Sequence, residues 1–565
     1  MKASDLFLKA LESEGVEFIF GVPGEENADI MISLLDSPIQ FIMTRHEQGA
    51  AFMADLYGRL TGKPGVCLAT LGPGATNLVT GVANAHFDRS PCLAITGQAS
   101  TERLHKESHQ NMNVIDMFKP LTKWTTTIRQ PDSIPEVIHK AFRLATTEKP
   151  GACHIELPEN IAKMECHLKP IPLDGYKLRR PAPDYKAVDR AIEILRNAQR
   201  PIILAGNGCI RKRASRQLKR FVEQTGIMVA HTFMGKGAVD DRDPHSLLTA
   251  GLSARDHVSE AFEQADVVIT IGYDLIEWPP DRWNPDEDKA IIHIDFEPAE
   301  VDSHYHCQVE VVSDIASALW EINEHIGDSL KFDDPLLRHI RDHILYEIGF
   351  DQFASEKHDD FDADAAAPAH SDAFPMKPQR ILRELRLLMD EDDILISDVG
   401  AHKIWTARHY LTYQPNTCII SNGFCSMAIA LPGAITAKML NPHKRVVGLM
   451  GDGGFMMNVQ ELATAVERQI PAVYLVWEDE AFSLIKWKQE NAFGKSSHTT
   501  FKNPDIVGLS RAFGAHAIRV NAAAEFGPAM QEAFSIEKKP TVVVVKVDDT
   551  ENKKLTDRLG RLIAH

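Results

Sequence analysis

Val446-Val447-Gly448-Leu449-Met450-Gly451-Asp452-Gly453-Gly454-Phe455 is the stretch that decides the fold. Its first half carries no charge and reads as a strand buried on both faces, as in a parallel sheet. The run breaks at Gly451-Asp452-Gly453-Gly454 and continues into a helical segment holding Glu461, Leu462 and Ala465. A second apolar run, Ala472–Trp477, leads into Glu478-Asp479-Glu480-Ala481-Phe482. Both acidic clusters fall at carboxyl ends of strands, where open α/β sheets bind ligands. One strand–helix–strand unit brings Asp452 and Asp479 to neighbouring strand ends. The glycines let the backbone approach a phosphate and start a helix beneath it. Two carboxylates beside a diphosphate make a Mg²⁺ site, since Mg²⁺ takes oxygen ligands shared between protein and phosphate. On residue types alone, a glycine-rich turn and an exposed acidic loop explain the same letters.

The same alternation extends outward. Strand-like runs at Phe18–Phe20, Val66–Thr70, Cys92–Thr96 and Cys153–Leu157 end near Gly or Pro, with helical pattern between them. Ser4 is placed to cap a first helix and Gly15 to end it. A middle block shows runs at Pro201–Ala205, Val267–Ile271 and Ala290–Ile294, and the last block adds Ile394–Ser397 and Thr541–Val547. A proline-rich stretch (Pro170, Pro172, Pro181, Pro183) and an acidic Ala/Asp/His-rich stretch separate the blocks. The expected architecture is α/β, with three doubly wound parallel-sheet domains: 1–167, a linker at 168–186, 187–345, a linker at 346–378, and 379–565.

Composition agrees with that size. A chain of 565 residues, 44% hydrophobic and 25% charged, is long enough for three or four cores and is not a disordered polymer. Lys and Arg number 61 against 79 Asp and Glu, a net charge of −18 that disfavours nucleic acid and anionic membranes as partners. No apolar run reaches the roughly 18 residues of a membrane span. Met1–Glu12 lacks the basic-then-apolar pattern of a secretion signal. The eight cysteines never fall in a CxxC spacing, so a reducing cytoplasm is expected.

A second signal is Thr44-Arg45-His46-Glu47-Gln48-Gly49-Ala50-Ala51-Phe52-Met53-Ala54. Glu47 stands before an apolar helical stretch, where an acid also simply favours the helix dipole. Together with Gly451–Gly454 and Asp479, this segment resembles the thiamine diphosphate enzymes of the pyruvate decarboxylase and acetolactate synthase superfamily. The resemblance implies thiamine diphosphate and Mg²⁺ as cofactors. It makes Asp452, Asp479 and the carbonyl of Ala481 the metal ligands, and Glu47 the cofactor-activating acid bound to N1′ of the aminopyrimidine. Many members carry Asn-Asn where this chain has Glu478-Asp479; an Asp at the second position points to the catabolic acetolactate synthases.

By the same resemblance, Val22-Pro23-Gly24 and Pro73 to Asn77 approach the pyrimidine. Gly400-Ala401-His402 contacts the diphosphate, with His402 a candidate donor. Met427 is the apolar wedge under the thiazolium, and the Cys425 carbonyl accepts from the 4′-amino group. Gly451, Gly453, Gly454 and Phe482 complete the cofactor site. His109-Gln110 resembles the active-site glutamine segment of acetolactate synthases, which makes Gln110 a candidate catalytic donor. Gly272-Tyr273 through Trp283-Asn284 resembles the middle domain of the flavin-free catabolic enzymes, so no FAD is expected.

Lys488 falls where the family reads its second substrate; a lysine there suits a carboxylate or phosphate and is equally a solvated helix residue. The basic run Arg211-Lys212-Arg213 after Gly206-Asn207-Gly208 is either a solvated helix face or a site for nucleotide phosphates. The activity implied is decarboxylation of pyruvate and addition of its two-carbon unit to a second 2-keto acid, giving 2-acetolactate. Another thiamine diphosphate-dependent decarboxylase or a 2-hydroxyacyl-CoA lyase is the alternative. The expected assembly is a homodimer or homotetramer with active sites between subunits.

Overall fold

The computed structural model describes residues 1–171, 180–211, 213–252, 256–327, 330–356, 361 and 363–553. Pro172 in the first linker and Lys212 in the basic run lie outside them.

The first sheet comprises β1 (Phe18–Gly21), β2 (Gln40–Met43), β3 (Gly65–Ala69), β4 (Cys92–Gln98), β5 (Trp124–Thr127) and β6 (Ala152–Pro158), in the order β2-β1-β3-β4-β6-β5. The second holds β7 (Pro201–Ala205), β8 (Met228–His231), β9 (Ser246–Thr249), β10 (Val267–Ile271), β11 (Ala290–Asp295) and β12 (Cys307–Val312), in the order β12-β11-β10-β7-β8-β9. The third holds β13 (Ile394–Ser397), β14 (Cys418–Ile420), β15 (Val446–Gly451), β16 (Val473–Glu478), β17 (His516–Val520) and β18 (Thr541–Lys546), in the order β14-β13-β15-β16-β18-β17. Strands pair in parallel throughout. Counted within each sheet, the first and third share one strand order. The expected class, three parallel α/β sheets, is what the chain adopts.

The central strands are apolar because helices cover both faces: β3, β4 and β6 are buried at every position. The first and third blocks also share a core within this chain. Phe52, Met53 and Leu56 of the helix Glu47–Thr61 join Leu431, Ala434 and Ile435 of the helix Ala430–Leu440 in one buried cluster. Removing the Phe52 side chain alone from water is worth about 2–3 kcal/mol. Gly433 admits the contact, since a Cβ there would sit 2.9 Å from Leu56.

The first helix differs in its start. It runs Ala3–Ser13, and the Asp5 carboxylate takes the Lys2 N–H at 3.0 Å. Ser4 lies inside the helix and accepts from Ser33 Oγ, because its buried position faces the next helix rather than the chain end. Gly15 follows the helix with φ of +77°, the left-handed geometry that glycine adopts freely.

Candidate active site

The carboxyl ends of β13, β15 and β16 open onto one cavity of about 260 Å³. Gly400, Ala401 and His402 line it after β13, Gly451 to Gly454 after β15, and Asp479, Ala481 and Phe482 after β16. Cys425 and Met427 close another side.

Asp452 joins two of these loops. Its Oδ1 accepts from the N–H of Gly453 at 2.8 Å. Its Oδ2 accepts from the N–H groups of Asp479 (3.1 Å) and Glu480 (2.7 Å) and from Asn503 Nδ2 (2.7 Å). Burial nevertheless raises its pKa. Asp479 accepts from Ser483 Oγ at 2.5 Å and from the Ala481 N–H at 3.3 Å. Burial, with the Asp452 charge adding to it, pushes Asp479 up to about 7. A buried and a half-buried carboxyl that resist ionising side by side are relieved by a cation, and their oxygens suit Mg²⁺.

Polar atoms without partners also face this region. His402 is held neutral by burial, its pKa down to about 4, and its Nε2 has no protein partner. Asp398, at the end of β13, is pushed up to about 7 by burial, with Oδ2 unpartnered. A Cβ on Gly454 would collide with that oxygen, and one on Gly453 would lie 2.8 Å from the Phe482 ring. The bare backbone, the waiting imidazole and the acidic pair fit a metal-bound diphosphate.

The Met427 loop is held from the first block. Asp88 Oδ1 accepts from the N–H groups of Gly423 and Phe424 at 2.8 and 3.2 Å, and Asn84 Oδ1 accepts from Ser421 Oγ and the Ser426 N–H. Cys425 and Ala428, on either side of the Ser426–Met427 pair, adopt φ of +58° and +75°. Such geometry in residues with a Cβ persists only where surrounding contacts fix it. Lys403 Nζ donates to Asn422 Oδ1 at 2.8 Å and reaches Cys425 Sγ at 3.3 Å.

The remaining predicted residues do not line that cavity, and all but Lys488 form a second group at the carboxyl ends of the first sheet. Glu47 opens its helix and accepts from Asn77 Nδ2 at 2.9 Å. A Cβ on Gly74, one residue past Pro73, would lie 3.4 Å from Glu47 Oε1. Gln110 is exposed and packs its backbone on Gly72, whose φ of +51° and close approach both demand glycine. Val22, Pro23 and Gly24 follow β1, and Gly24 abuts Thr70 after β3. Lys488 is exposed on the helix Ser483–Phe493, outside the cavity wall.

Several contributors carried no readable signal. Asn503 supports Asp452 from far along the chain, and Glu461 caps the Glu47 segment, its carboxylate taking the N–H groups of Arg45 and His46 at 3.0–3.2 Å. Trp477 and Asn552 line the cavity as ordinary-looking residues. Ser483, four residues after Asp479, had a local signal in its spacing.

In the middle block, the strand-end turn at Gly206-Asn207-Gly208 is filled from within. The Asn207 N–H donates to the Glu277 carboxylate at 3.1 and 3.2 Å, and Thr232 Oγ1 donates to the same group. Arg211 is drawn to Glu148 of the first block at 3.1 Å.

Family comparisons agree with this anatomy. Residues 1–117 match the thiamine pyrophosphate enzyme N-terminal TPP binding domain, 188–322 the central domain, and 398–545 the C-terminal TPP binding domain. A three-domain thiamine pyrophosphate enzyme is therefore the class that fold and site define. Acetolactate synthase of Bacillus subtilis is 32% identical over 562 residues, covering 99% of this chain and 96% of that protein. The probable acetolactate synthase large subunit of Methanocaldococcus jannaschii is 34% identical, covering 100% and 94%. The catabolic acetolactate synthase of Raoultella terrigena is 32% identical, covering 98% and 97%. Within its class, the chain belongs to the acetolactate synthase family.

Proposed function

We propose that the protein is a thiamine diphosphate- and Mg²⁺-dependent acetolactate synthase, which decarboxylates pyruvate and joins its two-carbon unit to a second 2-keto acid. The observation that carries this is the cavity uniting Asp452, Asp479, His402 and Met427 at three adjacent strand ends. Asp452, Asp479 and the Ala481 carbonyl would hold Mg²⁺, and His402 would donate to a diphosphate oxygen. Bound thiamine diphosphate supplies the carbon nucleophile and the electron sink for decarboxylation. Met427 would offer an apolar support, and Glu47, oriented by the hydrogen bond from Asn77, would exchange a proton with the bound cofactor.

Glu47 and the cavity belong to separate groups in one chain, which supports a homodimer or homotetramer in which a second copy brings its first sheet to the cavity. Exposed Met43, Leu104 and Met112 near the Glu47 and Gln110 segments suit burial by that copy. Activity should then fall on dilution to monomer. Glu277 seated in the Gly206–Gly208 turn supports a flavin-free middle domain. No described helix is long and apolar enough to cross a membrane, and all eight cysteines are free, which supports a cytoplasmic setting.

The test is a product assay on purified protein with pyruvate, Mg²⁺ and thiamine diphosphate. Acetolactate is expected. Acetaldehyde as sole product would move the protein to a simple decarboxylase, and no consumption of pyruvate would refute the reading.

A further inference from the structure

The middle block carries a group of donors that the proposed reaction does not use. His257 opens the helix His257–Gln264, and His343 and Glu347 lie four residues apart on the helix Pro335–Glu347. One ligand atom from each of the three lies within 4.8 Å of the others, and His257 Nε2 is 3.8 Å from Glu347 Oε1. The two imidazole rings sit 4.4 Å apart, tilted by 34°. All three side chains are half-buried.

We propose that His257, His343 and Glu347 form a binding site for a divalent transition metal, of which Zn²⁺ is the best fit. Two imidazoles and a carboxylate suit Zn²⁺ and disfavour Mg²⁺, which prefers an all-oxygen set. With metal–ligand bonds of about 2.0–2.2 Å, tetrahedral donors stand roughly 3.3–3.5 Å apart. The observed spacing therefore closes onto an ion with small side-chain movements. His343 and Glu347 share one helix face by their i,i+4 spacing, so two ligands come from a rigid element. Phe361 stacks on the His343 ring at 4.7 Å and 22°, which fixes that ring's plane. Half-burial leaves a coordination position for water.

The site is separate from the Asp452–Asp479 pair but linked to it by structure. Asp256, next to His257, ion-pairs with Arg408. Arg408 stands near the end of the helix Ala401–His409, whose first residues line the 260 Å³ cavity. The bound ion would tie the two middle-block helices together behind that helix.

The test is titration of the full-length protein, with thiamine diphosphate and excess Mg²⁺ present, using Zn²⁺ by calorimetry and Co²⁺ by visible absorption. The expected result is one equivalent bound, with a Co²⁺ spectrum of nitrogen ligation. Affinity should fall by at least the roughly 10–100-fold typical of perturbing a metal site in His343→Asn and Glu347→Gln separately. Circular dichroism and melting curves confirm that the variants fold; if His343→Asn does not, His257→Asn serves in its place. No stoichiometric binding by the wild type, or binding unchanged in folded variants, would overturn the proposal.

Discussion

The main-chain N–H of Glu480 donates to Asp452 Oδ2 at 2.7 Å, so the loop after one strand is fastened to the carboxylate that opens the helix after its neighbour. The same oxygen holds the Asp479 N–H and the Asn503 amide. Asp452 is thus both a candidate metal ligand and the pin that sets the second ligand's position. Asp452→Ala removes both roles. Mg²⁺-dependent thiamine diphosphate binding should be lost, as read by quenching of Trp477 in the cavity wall. The unpaired donors should also cost about 2 kcal/mol or more in urea unfolding. Unchanged cofactor affinity would refute the metal assignment.

Glu47→Gln keeps the size of the side chain and its contact with Asn77 but gives up the acid. Turnover should fall by about 10²–10⁴-fold, the usual range for losing a positioned proton-transfer group. Exchange of the cofactor C2 proton, followed by NMR, should slow in parallel, while the far-UV spectrum stays unchanged. Normal exchange in a folded variant would remove Glu47 from its assigned role.

Glu461 is fully buried and caps the turn that presents Glu47. Its Oε1 would lie 2.6 Å from a Cβ on Gly49, so glycine is required there for the two blocks to close. Glu461→Ala leaves the Arg45 and His46 N–H groups unpaired, a cost of about 1–3 kcal/mol. Glu461→Gln retains an acceptor and should recover most of the stability and turnover. Equal damage in both variants would show that charge, not hydrogen bonding, is what the position needs.

His154 should shape the acid limb of the stability curve. Its ring is fully buried between Thr96 Oγ1 (2.9 Å) and Thr125 Oγ1 (2.7 Å), and burial lowers its pKa from 6.5 to about 3. Between those values the unfolded chain binds a proton that the folded chain refuses. The neutral form's contribution is therefore complete above pH 6.5 and lost as pH falls toward 3. From pH 7.5 to 5 this one group should remove about 2 kcal/mol of stability. Denaturant unfolding at the two pH values should show a smaller difference in His154→Gln; an identical difference would assign the acid sensitivity elsewhere.

Apart from β8, the interior of each sheet was readable and the rim was not. Runs such as Val267–Ile271 and Val446–Met450 announce themselves because both faces are covered. The strands left unnoticed in the sequence include every edge: β2 and β5, β9 and β12, β14 and β17. Cys307–Val312 alternates polar with apolar residues only through Val311, and Gln40–Met43 buries Ile42 alone, patterns too short to separate from a loop. The site divides the same way. Asp452 and Asp479 were legible because each sits directly after a buried strand. Asn503 and Glu461 act across long sequence separations, and only folding brings them to the groups they hold.

The matching strand orders of the first and third sheets carry a consequence for ancestry. Two blocks wired alike in one chain, each presenting its chemistry at the same strand ends, are what an internal duplication leaves behind. Equivalent turns have since taken on different work. After β3 the chain offers Gly72-Pro73 with no acid, beside Glu47; after β15 it offers Gly451-Asp452. One copy now presents a turn without charge, the other a turn that carries an acid.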